Sequence, residues 1–154
     1  MAKVYICNLA QTPGLNYIYT DGAVVQTTTV TGKLHTAPGT AWEFDVTASR
    51  TSNYPAMEKL ASIAVKANQL VTVSCWVLKD HATNIGAAIF CRGSQLPGVD
   101  ADITVTKAND TNYQQLTMTF TPTQYGVITI EAKVWYIAGA SSAYFDDLTV
   151  TQGA

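Results

Sequence analysis

Apolar and polar residues alternate with a period of two in several separate runs of this chain. In "TAWEFDVTAS", Trp42, Phe44 and Val46 fall on one side and Glu43, Asp45 and Thr47 on the other, the pattern of a strand with one buried face. "LVTVSCWVLKD" puts Val71, Val73, Cys75 and Val77 on one face and Thr72, Ser74, Trp76 and Leu78 on the opposite one. "QLTMTFTP" contributes Leu116, Met118 and Phe120, and "VITIEAKVWYI" contributes Ile128, Ile130, Ala132 and Val134. That last run leaves Thr129, Glu131, Lys133 and Trp135 on its polar side. One segment breaks the rule: in "YPAMEKLASIAVKA", Met57, Leu60, Ala61, Ala64 and Val65 recur at helical spacing behind Pro55. A strand is nevertheless expected from about 58 onward, because Ile63 and Val65 alternate and the resemblance described below requires a strand there.

Turn signals punctuate these runs: "TPG" at 12–14, "TG" at 31–32, "PG" at 38–39 and 97–98, "NDTN" at 109–112 and "YG" at 125–126. Short strands between frequent turns predict an all-β fold, a two-sheet antiparallel jelly-roll β-sandwich. Its expected core includes Val71, Val73, Cys75, Met118, Phe120, Ile128, Ile130 and Leu148. At 154 residues the chain is the size of a single domain, taken as 1–154.

Composition narrows the chemistry. Charged residues are 13% of the chain, the formal net charge is −2, and the nine Lys and Arg are dispersed. A surface that tracks nucleic-acid phosphates is therefore not expected. No run approaches the roughly 20 apolar residues of a membrane-spanning helix, and the opening "MAKVYICNLAQTPG" lacks a signal-peptide core. The three cysteines, Cys7, Cys75 and Cys91, have no C-x-x-C spacing. They read as small core hydrophobes rather than as nucleophiles or zinc ligands.

From about Leu60 to Thr151 the chain resembles jelly-roll carbohydrate-binding modules of the xylan- and glucan-binding type. The stretches that carry the resemblance are "SIAVKANQLVTVSCWVLKD", "NYQQLTMTFTPTQYGVITIEA" and "GASSAYFDDLTV", in that order. In that family an opening "N-x-x-F-E" stretch supplies an acid that holds a structural calcium against the closing strand. Here the opening is "ICNLAQTPGLNYIYTDG", with Asn8 but no Phe-Glu. The closing strand's Asp146 is thus both a candidate calcium ligand and a candidate hydrogen-bonded anchor of the fold, since coordination needs six or more oxygens. Alternation puts Asp146 with Tyr144, Leu148 and Val150 on the inner face and turns Asp147 outward.

The catalytic inventory is thin. His35 and His81 are the only histidines, Glu43, Glu58 and Glu131 the only glutamates, and no hydrolase, zinc-protease or P-loop motif occurs. The acids of "DAD" at 100–102 read as a solvated loop, and "NDT" at 109–111 as a turn. Outward aromatics are the better lead. Trp76 and Trp135, with Glu131 beside the latter, form a candidate surface for a glycan or a protein partner, because sugar C–H faces and protein anchors both favour indole rings.

The functional expectation is non-enzymatic. By fold-level analogy, a free-standing, Thr-rich jelly roll resembles capsid decoration or cement proteins and head fibres of bacteriophages. That reading implies a homo-oligomer on the major capsid protein of a virion, made in the host cytoplasm without a signal peptide, with no nucleic-acid or membrane partner and no cofactor unless calcium. The alternative is a carbohydrate-binding module proper, extracellular, recognising a polysaccharide on a concave sheet face.

Overall fold

The computed structural model describes residues 3–6, 17–19, 25–47, 55–93, 103–136 and 140–153. The described chain is built of β-strands: β1 (Lys3–Ile6), β2 (Tyr17–Tyr19), β3 (Val25–Val30), β4 (Ala41–Val46), β5 (Pro55–Val65), β6 (Val71–Lys79), β7 (Ile85–Arg92), β8 (Ile103–Lys107), β9 (Gln114–Phe120), β10 (Gly126–Tyr136) and β11 (Ser141–Gln152). They form two antiparallel sheets. A six-stranded sheet runs β3-β4-β11-β6-β9, with β1 also paired to β11, and a five-stranded sheet runs β2-β5-β10-β7-β8. Apart from β3–β4 and β7–β8, neighbours in each sheet are not consecutive in sequence, as in a jelly-roll β-sandwich.

The alternating runs pack as their pattern predicts. Trp42, Phe44, Val46, Val71, Val73, Cys75, Val77, Leu116 and Met118 meet Ile128, Ile130, Ala132 and Val134 of the other sheet in one continuous core. Phe44 and Phe145 meet edge to face at 5.3 Å, a geometry that suits their ring quadrupoles. Of the expected core residues only Phe120 is half-buried, packed against the cluster. The segment with helical spacing is strand from Pro55 to Val65. Its register with β10 shifts at Ile130/Glu131. That irregularity puts an extra residue into β5, which explains why its apolar positions do not follow a clean period of two. Proline as the first residue of the strand removes no interior ladder bond.

The closing strand corrects an expectation. Asp146 pairs with Trp76, on the outward side of the six-stranded sheet, and the register shifts between Asp146 and Thr149. Tyr144 and Asp146 therefore face outward while Leu148 and Val150 face the core, where both are fully buried. Simple alternation had put all four on one side. The reason is a bulge: Asp147 has φ +50, and the added residue reverses the facing of everything after it. Cys75 Sγ donates to the Asp146 carbonyl at 3.4 Å, fixing the bulge from the core side.

Candidate functional site

On the five-stranded sheet, β10 points Thr129, Glu131, Lys133 and Trp135 outward. Their cross-strand neighbours on β7 are Arg92, Phe90, Ala88 and Gly86. Glu131 also pairs with Lys59 of β5, and Ala88 with Lys107 of β8. Directly opposed residues share a face, so Lys59, Phe90, Arg92, Lys107, Glu131, Lys133 and Trp135 all lie on the non-core face of the sheet, where Glu131 is covered by its surroundings.

Trp135 lies flat on Gly86. A Cβ built on that glycine would stand 2.0 Å from Trp135 Cε2, so the ring keeps this position only because the strand has no side chain there. The Nζ atoms of Lys107 and Lys133 lie 5.6 and 5.7 Å from the ring centroid, and Lys133 Nζ is 5.0 Å from the Phe90 centroid. These are cation–π distances. Both ammonium groups thus lie over the Trp135 ring.

Next along β10, Glu131 is fully buried and accepts an ion-paired hydrogen bond from Arg92 Nε. Its Oε1 is buried without a hydrogen-bond partner. Burial pushes the Glu131 carboxyl above its ordinary range, and the Arg92 hydrogen bond and charge pull it back only in part. Cys91 points into the core from the neighbouring strand. Burial, and then the Glu131 charge, push its thiol up to about 12, so it stays a protonated core group and not a nucleophile.

The outer face of the six-stranded sheet is built differently. Trp76 is half-buried, and the His35 imidazole stacks on it with centroids 3.7 Å apart and 13° between planes. Tyr113 meets His35 edge-on at 5.5 Å and donates its hydroxyl to the Lys33 carbonyl at 2.6 Å. Burial, and then the Asp146 charge, raise the Tyr113 phenol above its usual value. The 31–40 segment that carries His35 is fastened to β11. Asp146 Oδ2 accepts from the His35 backbone N–H at 2.9 Å, and Oδ1 accepts from Asp147 N–H at 2.8 Å. Asp147 Oδ2 accepts from Thr36 Oγ1 and from His35 Nδ1, each at 2.7 Å. A carboxylate only accepts, so Nδ1 carries the proton.

Asp146 thus has the bonding of an anchor, and its depth comes from the segment folded over it rather than from the sandwich core. Asp147, expected to point outward, shares the fastening. Among the described residues no group of three or more His, Cys, Asp or Glu side chains is arranged to hold a metal ion. Asn8, Cys7 and the "DAD" acids lie outside the described residues. The "NDT" stretch is a turn in which Asp110 Oδ1 caps the Thr111 and Asn112 N–H groups at 2.6 and 3.2 Å.

Of the predicted site residues, Trp135 and Glu131 lie on one face, whereas Trp76 is on the opposite sheet and cannot contribute to the same surface. Arg92, Phe90, Lys107 and Gly86 were not foreseen, because only the sheet order brings them beside β10. Gly86 alone left a signal, as an isolated glycine inside the strand run "NIGAAIF".

No protein-family model matches the sequence, and no curated protein matches it. Solved structures do match in shape, and carbohydrate-binding modules predominate among those compared. The CBM22-1 xylan-binding domain of Paenibacillus barcinonensis Xyn10C superposes with a TM-score of 0.60 at 9% identity, covering 99% of this chain and 96% of that one. A family 11 carbohydrate-binding module from Clostridium thermocellum, in complex with a β-1,3-1,4-mixed-linked tetrasaccharide, superposes with a TM-score of 0.54 at 15% identity, covering 96% and 94%. The arabinose-bound α-L-arabinofuranosidase MgGH51 gives 0.59 at 9% identity over 90% of this chain, which spans only 23% of that enzyme. At these identities the likeness establishes the β-sandwich fold that carbohydrate-binding modules use.

Proposed function

We propose that this protein is a non-catalytic carbohydrate-binding module that holds a polysaccharide on the outer face of its five-stranded sheet. The observation that carries the reading is the Trp135 ring laid flat on Gly86, a preorganised platform for the C–H face of a sugar ring. Against it Lys107 and Lys133 offer donors for hydroxyl and ring oxygens, and Arg92 lies farther along the same face, opposite Thr129. The carbohydrate-binding modules among the solved neighbours support it, whereas the capsid-decoration role has no support from the comparisons.

The test is affinity electrophoresis through gels containing soluble polysaccharides, with Trp135→Ala and Trp76→Ala variants. Retardation by at least one polysaccharide is expected for the wild type, with loss in Trp135→Ala and retention in Trp76→Ala. Retardation that survives Trp135→Ala, or none across a broad polysaccharide panel, sinks the proposal.

A further inference from the structure

The charges of the two outer faces are segregated. On the five-stranded sheet, the outward strand positions among the described residues carry Lys59, Arg92, Lys107 and Lys133 against a single acid, Glu131. That acid is committed to Arg92 Nε, which leaves three lysines uncompensated by it. On the six-stranded sheet the outward strand positions among the described residues carry Glu43, Asp45 and Asp146, with Asp147 in the bulge beside them, and no Lys or Arg; Lys33 belongs to the segment folded over this face. Since the whole chain has a formal charge of −2, the basic face is a local feature that its composition conceals.

We infer that the ligand of the Trp135 face is an anionic polysaccharide whose sugars carry uronate carboxylates. This rests on the glycan-binding reading above and narrows it. Two ammonium groups stand 5.6 and 5.7 Å from the centroid of the aromatic platform, where a sugar ring stacked on Trp135 would present its substituents. A neutral hydroxyl there gains one ordinary hydrogen bond. A carboxylate gains charge-assisted bonds and relieves the repulsion between the two lysines. Both side chains are long; Lys107 is exposed and Lys133 half-buried, so Lys107 can move from its cation–π position to the carboxylate with little loss of packing, and Lys133 can turn its ammonium group while its stem stays in place. A nucleic acid would also combine stacking with cations, but phosphate tracking calls for a longer basic stripe than three lysines on one sheet.

The probes for isothermal titration calorimetry are oligogalacturonides, glucuronate-substituted xylo-oligosaccharides, the carboxyl-reduced form of each, neutral cello- and xylo-oligosaccharides, and a single-stranded oligonucleotide. Two or three exposed ion pairs give an expected preference of roughly tenfold for an acidic oligosaccharide over its reduced form at low salt. The preference should shrink as salt is raised towards about 0.2 M, and collapse in the Lys107→Gln/Lys133→Gln double variant. Neutral oligosaccharides binding as tightly as the acidic ones overturn the anionic class while leaving a glycan-binding face. An oligonucleotide binding more tightly than any sugar overturns it in favour of nucleic acid. If no sugar binds, the proposed function fails with it.

Discussion

Trp76 and Trp135 occupy equivalent positions in the sequence pattern, each the outward residue of a long central strand, yet their surroundings differ in kind. Trp76 carries a stacked imidazole, a tyrosine at its edge and a segment fastened by two adjacent carboxylates. Trp135 has a glycine against it and two lysine ammonium groups over its ring. The first arrangement satisfies the ring within the chain. The second sets two side-chain cations over the ring, and the proposed glycan site rests on that arrangement. Outward facing is therefore only a condition for function, and whether a tryptophan is a site depends on what the chain folds over it.

The sharpest way to break this contrast is Trp76→Ala. Losing a half-buried indole and its stacking partner should destabilise by about 2–3 kcal/mol, read as the midpoint of urea unfolding, with polysaccharide retention unchanged. If the variant melts like the wild type, the His35 cover contributes nothing and the two faces are alike after all.

Asp146→Ala tests the fastening itself. It strands the His35 and Asp147 backbone donors, at about 1–3 kcal/mol. Thermal melting of the wild type should be the same with and without a calcium chelator. A chelator-induced drop would make Asp146 a calcium ligand, because a metal bound only to the folded state stabilises it by mass action.

On the other face, Gly86→Ala should cost about 1 kcal/mol, the low end for overpacking, since the partly exposed Trp135 ring can swing outward. Polysaccharide retention should weaken nevertheless, because the platform is displaced. Unchanged retention would mean that the flat placement of the ring is not what the ligand reads.

The smallest expected effect is on pH dependence at Glu131. Folding raises the pKa of this carboxyl, chiefly by burial. A group of that kind contributes stability that is complete below its ordinary pKa and is lost as pH rises through the folded value. Glu131→Gln removes the titration. The melting temperature of the variant minus that of the wild type should therefore decrease as pH is lowered from neutrality towards the ordinary carboxylate range. A difference independent of pH would show that Arg92 fully offsets the burial.

Much of the sandwich is legible in the alternation of the chain, because a strand with one wet and one dry face must repeat every two residues. Val73, Cys75, Ile128 and Ile130 declare their core side in this way, and the recurrent turn residues limit the strands to lengths that suit two packed sheets. The β5 segment misled by its helical spacing because a bulge shifts the phase of alternation. The Asp146–Asp147 bulge did the same in the closing strand, placing one aspartate outward when its neighbours Leu148 and Val150 face in.

What the sequence determines by itself is local: which segments are strands and which of their sides are apolar. Sheet order is not local. Only the pairing of β10 with β7 puts Trp135 on Gly86 and Glu131 beside Arg92, and only the return of residues 31–40 across β6 and β11 covers Trp76. Those contacts join positions up to 112 residues apart. They are decided by which strands find each other when the two apolar faces close on a common core, a choice that no single stretch of the chain encodes.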